Sequence, residues 1–114
     1  IFKYAPDATD FGYVFQNCSA LERIPAHSFA YNKKAFSFQC TFDECRRLTG
    51  ESPYAEVEVD VTAEDGSVSK VLKKIHLYER ELYPDVFTAP YAYSYCFYGC
   101  EKLSDYDNIP YAWN

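Results

Sequence analysis

Methionine is absent from this sequence, tryptophan occurs once (Trp113), and glycine only four times in 114 residues. No apolar run approaches the roughly 18 to 20 residues that a membrane-spanning helix requires. A glycine-rich phosphate loop, a Gly-x-Ser-x-Gly elbow and a His-Glu-x-x-His helix are all missing, which weakens the case for an enzyme. Positive charge is in short supply. Seventeen acids against eleven bases give a formal charge of −6 and an isoelectric point near 4.8. Such a field repels polyphosphate and anionic lipid, so nucleic acid and membrane are disfavoured partners. No internal repeat, low-complexity tract or Gly/Ser-rich linker is legible, and the length fits a single domain, residues 1–114.

What the chain has in abundance is rings and sulfur. Aromatics make up 19% of residues, and there are five cysteines, Cys18, Cys40, Cys45, Cys96 and Cys100. Cysteine at this density in a short chain suggests an oxidising compartment, with two bridges and one thiol left over. The opening "IFKYAPDATD" lacks a starting Met, which suggests a processed N-terminus and a secreted product.

The spacing of Tyr31, Ala35, Phe38, Phe42 and Cys45 by four, three, four and three predicts a helix over 25–48, with Pro25 at its start and Gly50 as its stop. Inside a helix, Cys40 and Cys45 would point to different faces, which argues against both a zinc site and a bridge between them. A bridge from Cys18 to Cys100 or Cys96 would close a long loop and tie the first strand to the last. The second bridge is left unassigned. "DFGYVFQNC" reads as a first strand. "YAEVEVDV" and "SVSKVLKKIHLY", joined through Asp65-Gly66, read as a hairpin with Lys70, Lys73 and Lys74 available to face acids across the pair. "YAYSYCFY" reads as a further strand with a ring-bearing face. Strand, helix and then several strands give an α+β fold, one main helix on an antiparallel sheet of about four strands.

Residues in segments without core periodicity are candidates for an exposed binding surface. These are Tyr78, Tyr83, Phe87, Tyr106, Tyr111 and Trp113. Acid–base hydrolysis of RNA would need His27 or His76 with Glu79 and Arg80 at one phosphate, and nothing in the spacing forces them together. No metal or other cofactor is implied.

The stretch "FGYVFQNCSALERIP" followed by a helix resembles the opening of the secreted RNase-like effectors of cereal powdery mildew fungi. Phe15 or Tyr13 with Cys18 matches the aromatic–cysteine element, Ile24-Pro25 the helix start, and Cys96 or Cys100 the late cysteine. The aromatic lies three residues before Cys18 instead of two, and Cys40 and Cys45 are additional. The resemblance implies a disulfide-stabilised, ribonuclease-like fold without the catalytic His, Glu and Arg. It also implies delivery into a host plant cell, binding to a host protein, and recognition by an immune receptor. The alternatives are an active small secreted ribonuclease and a secreted toxin or inhibitor domain.

Overall fold

In the computed structural model, which describes residues 4–114, neither the helix over 25–48 nor a four-stranded sheet is present. The regular elements are two strands, β1 (Tyr54–Thr62) and β2 (Val68–His76), and three short 3-10 helices, Leu77–Leu82, Tyr106–Asn108 and Tyr111–Trp113. The α+β, ribonuclease-like expectation is therefore corrected, and the reason lies in the backbone hydrogen bonds.

Between 38 and 48 the amides bond three residues back instead of four: Thr41 to Phe38 (3.2 Å), Asp43 to Cys40 (3.3 Å), Cys45 to Phe42 (3.0 Å) and Leu48 to Cys45 (3.1 Å). Cys40 (φ 56°) and Glu44 (φ 64°) are left-handed, so the chain forms successive β-turns and no α-helix can propagate through it. Such a run turns a side chain inward every three or four residues, the same spacing a helical face shows. The poor helix propensity of Phe38, Cys40, Thr41, Phe42, Asp43 and Cys45 weakens the helix against the turns.

The same run occurs three times. Phe-x-x-Cys-x-x-Leu appears as "FQNCSAL" from Phe15, "FDECRRL" from Phe42 and "FYGCEKL" from Phe97. Each copy sits in a coil of turns: coil 1 (residues 10–21), coil 2 (37–48) and coil 3 (92–103). Left-handed residues recur at matching places, Tyr13 and Asn17, Cys40 and Glu44, Tyr95 and Gly99. The coils lie side by side in one register. Amides of Phe11, Tyr13, Phe15 and Asn17 donate to carbonyls of Ser37, Gln39, Thr41 and Asp43 at 2.8–2.9 Å. Those of Phe38, Cys40, Phe42 and Glu44 donate to Ala92, Ser94, Cys96 and Tyr98 at 2.7–3.0 Å. The expected absence of a repeat is thus overturned: the chain is a short stacked solenoid, in which each coil is held by its neighbours.

Side chains repeat as ladders along the stack. The Phe42 ring is stacked between Phe15 (5.5 Å, 8°) and Phe97 (5.5 Å, 10°), and Phe11 stacks on Phe38 at 6.1 Å. The conserved geometry extends to sulfur. The Cys45 thiol donates to the Phe15 carbonyl and the Cys100 thiol to the Phe42 carbonyl, each at 3.0 Å. Burial pushes the Cys45 thiol up to about 11 and the Cys100 thiol up to about 12, so both stay protonated and able to donate. All five cysteines are unbridged. This corrects the pairing of Cys18 with Cys96 or Cys100: Cys18 and Cys100 hold equivalent places in the outer coils with Cys45 in the coil between, and Cys96 is buried beside Phe97.

The first and last expected strands are coils 1 and 3. The tyrosine alternation over 91–98 does not make one ring face, because left-handed Tyr95 turns outward while Phe97 and, in part, Tyr93 turn in. Trp113 covers the far side of coil 3, stacked on Tyr93 at 4.7 Å, with its carbonyl accepting from the Phe97 amide.

The hairpin is present as read. β1 and β2 pair antiparallel from Tyr54↔His76 to Thr62↔Val68, with Gly66 at φ 85° in the turn. It is inserted between coils 2 and 3, which explains why their phenylalanines are twice as far apart in sequence as those of coils 1 and 2. Only its base is buried: Ala55 and Ile75 form a second small core with Phe87, whereas β2 is exposed from Val68 to Lys74. Of the three lysines, Lys70 meets Asp60 at 3.3 Å, Lys74 turns to Glu51 at 2.9 Å, and Lys73 lies over the Tyr83 ring.

Candidate functional site

Two places bring functional side chains together. The first is at the base of the hairpin, where β2 ends and the chain enters the 3-10 helix Leu77–Leu82. His76 Nδ1 lies 2.7 Å from Glu79 and Nε2 lies 2.6 Å from Glu51, which follows coil 2. The imidazole stacks on Tyr78 at 5.2 Å. Beneath it, Asp105 at the end of coil 3 accepts from the Ser52 amide (2.9 Å) and hydroxyl (2.5 Å) and from the Tyr78 hydroxyl (3.0 Å). Burial together with the Asp105 charge pushes the Tyr78 phenol far above its usual range, so that hydroxyl remains a donor.

This cluster is built as a clasp between β2, coil 2 and coil 3. Both imidazole nitrogens face carboxylates, which leaves neither directed at a substrate, and the Ser52 hydroxyl is committed to Asp105 instead of to the ring. A nucleophile–base pair therefore does not form. Nor do the residues of a ribonuclease site converge. His76 and Glu79 meet, but His27 lies beyond the Tyr54 ring, 3.4 Å from Glu56. Arg80 is interior, 1% exposed. Its guanidinium donates to the carbonyls of Asn32 (2.9 Å) and Phe29 (2.8 Å) and lies 4.4 Å above the Phe87 ring. Among the described residues no group of three or more His, Cys, Asp or Glu is disposed to hold a metal ion, and no helix is long and apolar enough to cross a membrane.

The clasp gives a pH dependence. Burial raises the Glu51 carboxyl, but hydrogen bonds from Lys74 and His76, with their charges, outweigh burial and hold it below its ordinary 4.5. A carboxyl depressed in the folded state contributes stability above its unfolded pKa and loses it as pH falls through the folded one. Stability is expected to decline as the solution is acidified below about pH 4.5. Glu51→Gln should lower stability at neutral pH by about 1 kcal/mol and flatten this acid limb. Urea titrations at pH 7, 5, 4 and 3 check this; an unchanged slope in the variant refutes it.

The second place is the outer side of coil 3. The left-handed turn at Tyr95 throws its ring outward, 54% exposed, as the equivalent turn does for Tyr13 in coil 1. Tyr98 (45% exposed) meets Tyr95 edge to face at 5.5 Å, and Tyr111 (94% exposed) stands across from them on the C-terminal segment. With Tyr106, Arg46 and Asn114 these rings line a cleft of about 280 Å³. The Tyr106 hydroxyl donates to Asn114 Oδ1 at 2.9 Å, and Glu44 fixes Arg46 at 2.6 Å.

Of the six residues expected at an exposed surface, Tyr111 and partly buried Tyr106 belong to this cleft, and Tyr83 is partly buried beside the hairpin. Tyr78, Phe87 and Trp113 are buried and belong to the interior. Lack of periodicity in their segments reflects irregular backbone, which buries side chains without a regular stride. Tyr95, Tyr98 and Arg46 were missed. Aligning the chain on Cys18, Cys45 and Cys100 would have shown the repeat and set these residues on its outer rows. Comparison with protein-family models, characterised proteins and solved structures finds no match to this chain.

Proposed function

We propose that this protein is a non-catalytic binding module that takes a partner protein on the tyrosine-lined cleft of coil 3. The observation that carries the reading is the convergence of exposed Tyr95, Tyr98 and Tyr111 with Arg46 around one cleft. Tyrosine and arginine are the residue types that dominate protein-binding hot spots, since each combines a large apolar body with a polar tip. Base stacking would use the same rings but needs a positive surround, and here the net charge is −6, with Glu101 at the cleft. A secreted effector acting on a host protein or an immune receptor is one setting for such a module. It needs partner binding, and it does not need a ribonuclease scaffold.

The test is a double variant, Tyr98→Ala with Tyr111→Ala. Tyr111 stands almost wholly in solvent and Tyr98 a little under half so, so stability should change by no more than about 0.5 kcal/mol at Tyr111 and about 1 kcal/mol at Tyr98. Partner affinity should fall at least about tenfold, as loss of two hot-spot rings predicts. Affinity capture with quantitative mass spectrometry, wild type against variant, reads this directly. The same captured proteins at the same abundance would sink the reading. RNA turnover that disappears in His76→Ala would replace it with the ribonuclease alternative.

A further inference from the structure

The two ends of the coil stack differ. Coil 3 is closed by the C-terminal segment, with Trp113 stacked on Tyr93 and its carbonyl taking the Phe97 amide. Among the described residues, coil 1 has no such cover along its outer edge. The carbonyls of Ser37, Gln39, Thr41 and Asp43, and of Ala92, Ser94, Cys96 and Tyr98, all accept an amide from the coil before them. The equivalent carbonyls of coil 1, on Asp10, Gly12, Val14 and Gln16, accept no amide among the described residues. The side chains tell the same story. Phe42, Phe97, Cys45, Cys100, Leu48 and Leu103 are buried, whereas Phe15, Cys18 and Leu21 are only partly so. The Cys45 and Cys100 thiols each reach the phenylalanine carbonyl of the preceding coil, while the Cys18 thiol has no such acceptor among the described residues.

We propose that the open edge of coil 1 is a docking site for one further coil of the same Phe-x-x-Cys-x-x-Leu repeat, carried by a partner polypeptide. The two interfaces already in the molecule define what fits. The occupant offers amides at every second residue to Asp10, Gly12, Val14 and Gln16, lays a phenylalanine ring on Phe15, and presents that residue's carbonyl to the Cys18 thiol. Open carbonyl edges and unfinished apolar ladders are what a repeat presents on a side where no neighbour is stacked on it. A symmetric pairing of two coil 1 edges is excluded by hydrogen-bond polarity. Their alternate amides are already spent on coil 2, so carbonyl would oppose carbonyl. A second copy stacked head to tail would have to displace Trp113 from coil 3 first.

The experiment joins a copy of residues 9–27 directly ahead of Ile1 of the full chain, which keeps the spacing between coils 1 and 2 for the added coil. A control extension carries Ser in place of its Phe and Leu ladder residues. Alkylation of Cys18 by iodoacetamide, read by mass spectrometry, and thermal unfolding are followed in both and in the unextended chain. Expected are a rise in Tm of several degrees within one transition, and Cys18 alkylation slowed at least tenfold, in the ladder-bearing extension only. The proposal is overturned if Cys18 reacts at an unchanged rate, or if the control extension protects it equally. It is also overturned if the unextended chain sediments as a dimer whose Cys18 is already protected.

Discussion

Phe42→Ala is expected to lower the free energy of unfolding by about 3–5 kcal/mol, a large part of what a domain of this size possesses. Phe42 is buried at the centre of the molecule, its ring stacked at 5.5 Å on Phe15 and on Phe97 and approached edge-on by Phe29 at 6.1 Å. Truncation opens a cavity that three coils share, and neither neighbouring ring can follow inward freely, because the Phe15 amide is bonded to Thr41 and the Phe97 amide to Trp113. Phe15→Ala removes the same atoms from a site that is only partly buried, so its cost should be clearly smaller. Urea denaturation of the pair decides the matter. Equal costs for the two variants, or less than about 1 kcal/mol for Phe42→Ala, would mean that the ladder does not hold the coils together.

The second large effect is expected at Arg80. Burial pulls its guanidinium down to about 10, which still leaves it charged at neutral pH. Among the described residues no carboxylate pairs with it. Its partners are two main-chain oxygens, on Phe29 and Asn32, and the faces of Phe87 and Phe38 at 4.4 and 5.4 Å. The cost of stripping water from a cation opposes this arrangement. The charge-assisted hydrogen bonds, about 1.5–3 kcal/mol each, and the cation–π contacts, up to about 2 kcal/mol, favour it. Arg80→Met keeps most of the volume and removes the desolvation cost, yet takes a charge-assisted donor from each of two buried carbonyls, which retain the turn amides of Asn32 and Ala35. It is expected to destabilise by about 2–4 kcal/mol, and Arg80→Ala by more because a cavity is added. A neutral or stabilising Arg80→Met, measured by denaturant unfolding, would show that desolvation outweighs the bonds, as happens in some buried ion pairs.

The hairpin was legible because strict alternation over Val57, Val59 and Val61 and a turn at Asp65-Gly66 have few competing interpretations. The coils were not. A chain of β-turns and an α-helix both bring an apolar residue inward every three or four positions, so Phe38, Phe42 and Cys45 satisfy either. What separates them is the handedness at Cys40 and Glu44, which these side chains do not announce as glycine would. The repeat was hidden by the hairpin lodged between its second and third coils. The cysteines misled for a related reason: their number suggested bridges, whereas Cys18, Cys45 and Cys100 are three instances of one position, whose thiol serves as a donor in the second and third coils. With that, cysteine density no longer speaks for an oxidising compartment. Half of the cleft was within reach, since Tyr106 and Tyr111 were singled out, but Tyr95 and Tyr98 had been assigned to a strand face.

The excursion between the second and third coils has a bearing on how such a chain can diversify. Its two feet return to adjacent rungs of the spine, while everything from Asp60 to Lys74 is exposed. The ladder of rings, thiols and amides senses only where the feet are set down. Lengthening an already long detour adds little closure entropy, about 0.6 kcal/mol for each doubling. The spine can therefore carry an arm of another length, charge or shape at the same point and keep its own registration, so that outward variety and inward constancy are inherited separately.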